Sequence, residues 1–436
     1  MLSDGPSPGT RGGVLARWVV LVALALFAVG VPLLPSNSDK VDVTVLSGLL
    51  LTVGYYGRLR AGERLGRTAL DVPAATFLVV AGLATGLSPS PFVSFFPSLA
   101  RGDGFLVYIV YVVMALAAAR LGSREIRRLL TALVAGGAVI SAIAIGQYYG
   151  HDVSPWLGYR GLTFERSWGT LGNADFLGGY VALVLPLGLA LAAQEVRPTW
   201  WGWAGASVLL YAALIGSETR SAWAAVAVAA VLLVRFLPAV PRTYRRLALY
   251  GLVCAVVTVV MMHTRSHGEL AARAASALDP ADSSMRGRLY VWSHTLPLIW
   301  QRPVFGWGFS QLLGRLPGLG SPEYFRVFGR QLVLIDTPHN DTLYFAFHTG
   351  LAGLAAYLWI WLTAFRGLGD ALRSAGSGIR LAVGLMSGFV AYLIWLQLAW
   401  SHIGPANVAW VLIGISVALG CLARESAAGS HPDPAK

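Results

Sequence analysis

His339 stands in Asp336-Thr-Pro-His339-Asn340-Asp341, at the end of a long polar stretch and just ahead of an apolar run. An imidazole with an ordinary pKa of about 6.5 can take a proton from a hydroxyl near neutral pH, so the first chemistry to consider is general-base catalysis. Neighbouring arginines would disfavour its charged form and keep it able to accept that proton. The simpler account is a polar residue at a helix entrance, with Asp336 or Asp341 capping the helix. Arg220, in Ser217-Glu218-Thr219-Arg220-Ser221, forms a second group with Arg286 and Arg288. A guanidinium is a planar fork of donors that matches a phosphate. Against that, Arg220 could pair with Glu218 or reach to the membrane surface, and Arg286 and Arg288 could be mere headgroup contacts.

A third group fills one connector, Tyr159-Arg160-Gly-Leu-Thr163-Phe-Glu165-Arg166-Ser-Trp168-Gly169-Thr170-Leu-Gly172-Asn173-Ala-Asp175-Phe176, with Gln147 shortly before it. Aromatic rings, glycines and hydrogen-bonding groups at this density suit a sugar-contacting surface, with Arg160, Arg166, Asn173 and Gln147 as candidate substrate contacts. A turn-rich connector accounts for them equally well. Gly306-Trp307-Gly308-Phe309 turns the chain, and Trp307 there is a further candidate contact. The same side shows no Asp-x-Asp pair and no carboxylate cluster, only the spaced Asp39 and Asp42 in a very short first loop, so no metal is expected and arginines would have to stabilise any phosphate leaving group. The two cysteines, Cys254 and Cys421, fit no ligand spacing and read as packing residues. No cofactor is expected.

These residues must be positioned by an apolar framework. Hydrophobic residues make up 56 % of the 436-residue chain and charged ones 12 %, against about 25 % charged in a soluble domain. The mean hydropathy is +0.62. This composition predicts an all-α polytopic membrane protein. Runs of about 20 apolar residues, enough to cross a hydrocarbon core, recur at 15–34, 42–56, 72–87, 104–120, 129–149, 175–193, 200–216, 221–237, 247–263, 341–365, 381–400 and 404–422, about twelve spans. The first is read as a span and not as a cleaved leader.

The net charge of +12 invites a nucleic-acid reading, but the positions of the charges remove it. With the N-terminus inside, the cytoplasmic segments hold twenty of the 33 basic residues and only eight acids, which leaves the outer side neutral. That is the positive-inside bias. It predicts both termini in the cytoplasm, a multi-pass protein of the cytoplasmic membrane, and no nucleic-acid partner. The tails, 1–13 and 423–436, read as cytoplasmic, with disorder expected over 1–13 and from Glu425 onward. Spans one to nine occupy 14–263, and spans ten to twelve occupy 341–422.

Between them, 264–340 is the only long polar excursion and reads as an extracytoplasmic lid. After the cap Asp282-Ser283-Ser284, the positions Leu289, Trp292, Leu296 and Ile299 recur at helical spacing, with Trp300 widening the stripe and Pro297 expected to kink it. This predicts an amphipathic helix in the membrane interface. Tyr324-Phe325-Arg326-Val327-Phe328 reads as a second interfacial piece. Few ionisable side chains fall at mid-membrane depth, which disfavours an ion-coupled pump or a lipid-linked glycan flippase.

Several short motifs in this order resemble the O-antigen ligase and O-antigen polymerase superfamily. They are Gly169-Thr-Leu-Gly-Asn173, Thr219-Arg220-Ser221, Arg288-Leu-Tyr-Val-Trp292, Arg302-Pro303-Val-Phe-Gly306-Trp-Gly308, Pro338-His339-Asn340-Asp341-Thr-Leu343 and Thr349-Gly350-Leu-Ala-Gly353. With the large loop between spans nine and ten, they cover nearly the whole chain. The resemblance implies a GT-C-like membrane glycosyltransferase that moves a glycan from undecaprenyl diphosphate to an acceptor hydroxyl, without a metal and with inversion. It implies that His339 is the base on that hydroxyl, and that Arg220 and Arg288 hold the diphosphate as it leaves. It leaves the acceptor open among lipid A-core or another terminal acceptor, a second lipid-linked repeat of O-antigen or teichuronic-acid type, and a protein. Partners would be the lipid-linked donor, a glycan or lipid acceptor and membrane lipids. Asp175 departs from the family pattern, which has Asn there.

Overall fold

A computed structural model describes residues 11–98, 101–151, 166–194, 199–237, 241–264, 272–273, 275–276, 283–313, 315–316, 318, 320–329, 335–374 and 378–429. Arg160 and residues 1–10 and 430–436 of the tails lie outside these residues, as do much of 264–282 and the earlier part of the aromatic connector; within the tails, 11–13 and 425–429, expected to be disordered, are helical. Among the described residues all regular structure is helical. This is what a bilayer requires of apolar runs, since each backbone N–H must find its acceptor within the segment.

The helices are α1 (Arg11–Ala25), continued through a π-turn (Leu26–Gly30) into α2 (Val31–Leu33), α3 (Asn37–Arg60), α4 (Asp71–Gly86), α5 (Pro91–Phe95), α6 (Phe105–Ala118), α7 (Ser123–Tyr148), α8 (Ala174–Gln194), α9 (Trp200–Gly216), α10 (Arg220–Phe236) and α11 (Pro241–Thr264). After the connector's α12 (Ser283–Gln301) and α13 (Pro322–Phe328) come α14 (Asp341–Arg373), α15 (Ile379–Leu396) and α16 (Ile403–Gly429).

A helix lies on each of the twelve expected stretches, but seven, not twelve, are long and apolar enough to cross a membrane on that criterion. The shortfall has a physical cause. With 16, 14, 17 and 17 residues, α4, α6, α9 and α10 rise about 21–26 Å, less than the roughly 30 Å core. α3 is 24 residues long but carries charged residues in both end turns. The chain is an integral membrane protein of apolar helices.

α8 is the central rod, with 94 % of its apolar window buried. It lies against α15 with almost no side chain between them: a Cβ on Gly388 would stand 2.5 Å from the Leu183 carbonyl oxygen, and one on Gly384 3.1 Å from that of Pro186. Without a hydrophobic force between helices in lipid, such close backbone approach supplies the packing. Lys40, expected in a short outer loop, instead lies in the first turn of α3 and is fully buried. Its ammonium donates to the carbonyls of Pro35 (3.2 Å) and Thr170 (3.1 Å), which is how a buried cation is tolerated.

α14 is broken at Gly350, whose φ of 68° and ψ of −177° are accessible in practice only to glycine. The connector fills the break. Leu351 N–H donates to the Pro303 carbonyl (2.7 Å), and Trp307 and Gly308 N–H donate to the carbonyls of Phe347 (2.9 Å) and His348 (2.8 Å). Both glycine-rich motifs of the sequence are therefore two halves of one joint.

α12 is continuous through Pro297. Of the expected apolar stripe, Leu289, Leu296 and Trp300 are exposed, whereas Trp292 is half-buried and Ile299 is buried. Ile299 joins Tyr290, Val291 and Leu298, which pack with Leu312, Tyr324 and Phe347 into a small core beneath the connector. Helical spacing reveals a helix, but here both faces are apolar, so spacing cannot say which is covered. Tyr324 of the second expected interfacial piece is likewise fully buried.

Candidate active site

The starts of α8, α10 and α14 and the first turns of α12 meet at one end of the bundle. Their common anchor is the turn Gln397–His402 between α15 and α16. Arg288 Nε donates to the Leu398 carbonyl (3.1 Å), and Arg288 also bonds the Ser284 hydroxyl. Asn340 Nδ2 donates to the Gln397 carbonyl (3.0 Å), while its Oδ1 accepts from Leu343 N–H (2.9 Å) and caps α14. The cap is therefore Asn340, where Asp336 or Asp341 was expected. Asp341 is buried, and its carboxylate accepts from Ser401 N–H (2.8 Å) and the Tyr357 hydroxyl (2.8 Å).

His339 enters this frame with its ring edge-on to Trp400 at 4.6 Å. The carbonyl of the preceding Pro338 accepts from Trp292 Nε1 (2.9 Å). Arg101 lies 5.3 Å from the Trp400 ring and pairs with Asp336 (2.5 Å). His339 has a φ of 50°, as does Glu218 immediately before Thr219-Arg220. A left-handed conformation at a non-glycine residue costs about 1–3 kcal/mol and concentrates at functional sites.

The second half of the site is built on Asp175 at the start of α8, whose N–H donates to Asn173 Oδ1 (2.8 Å). Its carboxylate accepts from Arg166 (2.9 Å) and from the Thr219 hydroxyl (3.3 Å). Arg166 also donates to the Ser217 carbonyl (2.9 Å) and to Thr219 Oγ1 (2.9 Å), so it locks the start of α10 to that of α8. Phe176 follows, edge-on to Trp400 at 5.1 Å and stacked on His402 at 3.7 Å. Arg220 donates to the Ser276 hydroxyl (2.7 Å), which donates to the Arg273 carbonyl (2.9 Å).

Electrostatics tie the halves together. Burial, with the Arg288 and Arg101 guanidinia, pushes the His339 pKa down to about 4, while Asp175 and Asp336 oppose the fall. The imidazole is neutral at physiological pH. Burial and the neighbouring Arg166 and Arg220 lower the pKa of Arg273, with Glu218 and Asp175 opposing. Asp175 is the charge common to both sets.

The structure thus brings together His339, Arg288, Arg166 and Asp175, and places Arg273 between Asp175 and Arg220. Other expected contacts have different surroundings. Arg286 is exposed, two residues and about 200° around α12 from Arg288. Trp307 Nε1 donates to the Leu298 carbonyl (2.8 Å) and its ring is covered by Arg302 (4.4 Å) and Arg315 (5.1 Å), so it braces the connector. Gln147 spends its amide on the backbone of Trp168 and Gly169, clamping the glycine-rich turn. Asn173 holds the start of α8.

Sequence reasoning missed Arg273, Arg101, Asp336 as an ion-pair partner, and Trp400. Arg273 is a single charge in an alanine run, with no local pattern to distinguish it. Trp400 follows a span and reads as one more interfacial aromatic.

Residues 205–358, about a third of the chain, match the family model described as Wzy_C: O-Antigen ligase. The chain is O-antigen-ligase-like. The matched stretch runs from α9 across the connector and past the break in α14, and contains Arg220, Arg273, Arg288 and His339. Asp175 and Arg166 lie before it. No curated protein matches the chain.

Proposed function

We propose that this chain is a glycosyltransferase that moves a glycan from undecaprenyl diphosphate to an acceptor hydroxyl at the outer surface of the cytoplasmic membrane. The observation that carries this reading is a neutral, partly buried imidazole beside Arg288, with Asp175 linking it to Arg166, Arg220 and Arg273. His339 takes the proton of the acceptor hydroxyl as its oxygen bonds the anomeric carbon. The bond from that carbon to the carrier's phosphate oxygen breaks, and the diphosphate leaves with the electron pair, its charge met by guanidinia. One displacement inverts the anomeric centre and needs no protein nucleophile.

An imidazole at about 4 is by itself a weak base. A diphosphate bound among the arginines adds negative charge next to His339 and raises its proton affinity when the donor is in place. Holding both reactants in one interfacial pocket supplies further rate through proximity. The positive-inside bias supports an outward-facing site. The reading needs no metal, since guanidinia supply the countercharge.

A transferase is favoured over a lipid-linked glycan exporter by where the buried ionisable residues sit. Lys40, Asp341 and His402 are at the site's end of their helices and His348 lies about two turns into α14 from that end, whereas an exporter needs charge along a path through the core.

The deciding experiment reconstitutes the chain with undecaprenyl-diphosphate glycan and two competing acceptors, lipid A-core and a second lipid-linked glycan. Growth of the first identifies a ligase and of the second a polymerase, and transfer to protein would show as labelled polypeptide. Failure to consume the donor with any acceptor would refute the reading.

Two further results are expected. Arg288→Lys keeps the charge but loses the fork that reaches Leu398 and Ser284, so the donor KM should rise about tenfold or more; an unchanged KM would remove Arg288 from the donor site. Asp175→Asn restores the family's common residue and deletes a negative charge near His339. The imidazole pKa should then fall further below its wild-type value, read by histidine NMR titration, and a rise would contradict the placement of Asp175.

A further inference from the structure

We infer that the notch between α14 and α16, at the end of the bundle away from His339, holds the anionic headgroup of a glycerophospholipid. The notch follows from how the two helices cross. A Cβ on Gly420 would stand 2.7 Å from the Gly367 Cα, and one on Gly367 2.5 Å from the Ser416 carbonyl oxygen. The backbones touch there and diverge beyond. Trp359, Arg366 and Asp370 of α14, Arg424 of α16 and Ala69 ahead of α4 then enclose about 220 Å³. This is room for roughly seven waters at about 30 Å³ each, ample for a phosphodiester.

The charge in the notch is unbalanced. Asp370 already pairs with Arg373 (2.6 Å) and Arg424. Arg366 makes no ion pair among the described residues, so within the notch two guanidinia, Arg366 and Arg424, face one carboxylate that Arg373 also pairs from outside. Deeper in the membrane the wall turns apolar. Trp359 is seven residues from Arg366, about 10 Å along the helix, and it is exposed together with Leu358 and Leu362. A free anion would satisfy the arginines and leave this strip bare. A lipid covers both, with its phosphate at Arg366 and Arg424 and an acyl chain along Leu362, Trp359 and Leu358. Basic side chains at the bilayer surface favour anionic lipid by roughly fivefold each.

The test uses the full chain in detergent, with native mass spectrometry counting phosphatidylglycerol and phosphatidylcholine retained from an equal mixture. Phosphatidylglycerol should be retained about fivefold or more over phosphatidylcholine, and millimolar inorganic phosphate should not displace it. Arg366→Gln, which removes no intramolecular partner, should bring retention down toward that of phosphatidylcholine. Asp370→Asn should raise it, an effect opposite to that of a damaged fold. Equal retention of the two lipids, indifference to Arg366→Gln, a fall with Asp370→Asn, or displacement by inorganic phosphate would each overturn the inference.

Discussion

Alanine at position 339 should lower glycan transfer by about 10²- to 10⁴-fold, the usual contribution of a positioned general base, while the chain still folds and inserts. The frame supports this separation of effects. The anchors around His339 are Asn340 on Gln397, Trp292 on the Pro338 carbonyl and Asp341 on Ser401, and none uses the imidazole. The pH dependence gives an independent check. Because burial and Arg288 hold the His339 pKa near 4, below the ordinary 6.5, the neutral base predominates from about pH 5 upward. The donor kcat/KM, which reports the free enzyme, should therefore stay level between about pH 5 and 7 and decline only in more acidic solution. A kcat/KM halved near 6.5, or transfer surviving the alanine substitution, would show that another group takes the proton.

Gly350→Ala should be the most damaging substitution to the fold. An added Cβ would lie 2.1 Å from the Val304 carbonyl oxygen, backbone that cannot step aside, and the residue would have to hold a φ of 68°. Overpacking and left-handed strain together cost about 2–5 kcal/mol, a large part of the stability of a typical domain. The expected outcome is low yield in the membrane fraction and a lowered midpoint in thermal unfolding in detergent. A companion change, Gly353→Ala, would put its Cβ 2.2 Å from Thr349 Oγ1 and 2.3 Å from the Thr349 Cβ, so it should also destabilise, but it meets no connector backbone. Unchanged yield and midpoint for Gly350→Ala would mean that the break in α14 is not held by the connector.

Much of the scaffold was legible because apolar runs in a bilayer have one solution, and each expected stretch carries a helix. Span lengths were less legible: α4, α6, α9 and α10 have 16, 14, 17 and 17 residues, and an apolar run does not by itself fix where its helix ends. In the candidate site, His339, Arg288 and Arg220 stood out through residue type and position beside a span. Their partners did not. Arg166 meets Thr219, and Arg101 meets Asp336 235 residues away in the chain, contacts that no local spacing encodes. Residues with the right chemistry for sugar binding, Gln147 and Trp307, turned out to spend that chemistry on backbone carbonyls and amides. Hydrogen-bonding capacity is visible in a sequence, but its use is not.

The joint at Gly350 sets where one working part of the molecule ends and the next begins. Polarity divides the chain at Asn340, yet Pro303 to Gly308 hydrogen-bonds on both sides of a position ten residues further on. The family match also runs past that position, to residue 358. Loop and helix therefore cannot be exchanged independently: a chimera cut at the polarity boundary would leave each half of the joint facing a stranger, while one cut beyond Gly353 carries the whole hinge across.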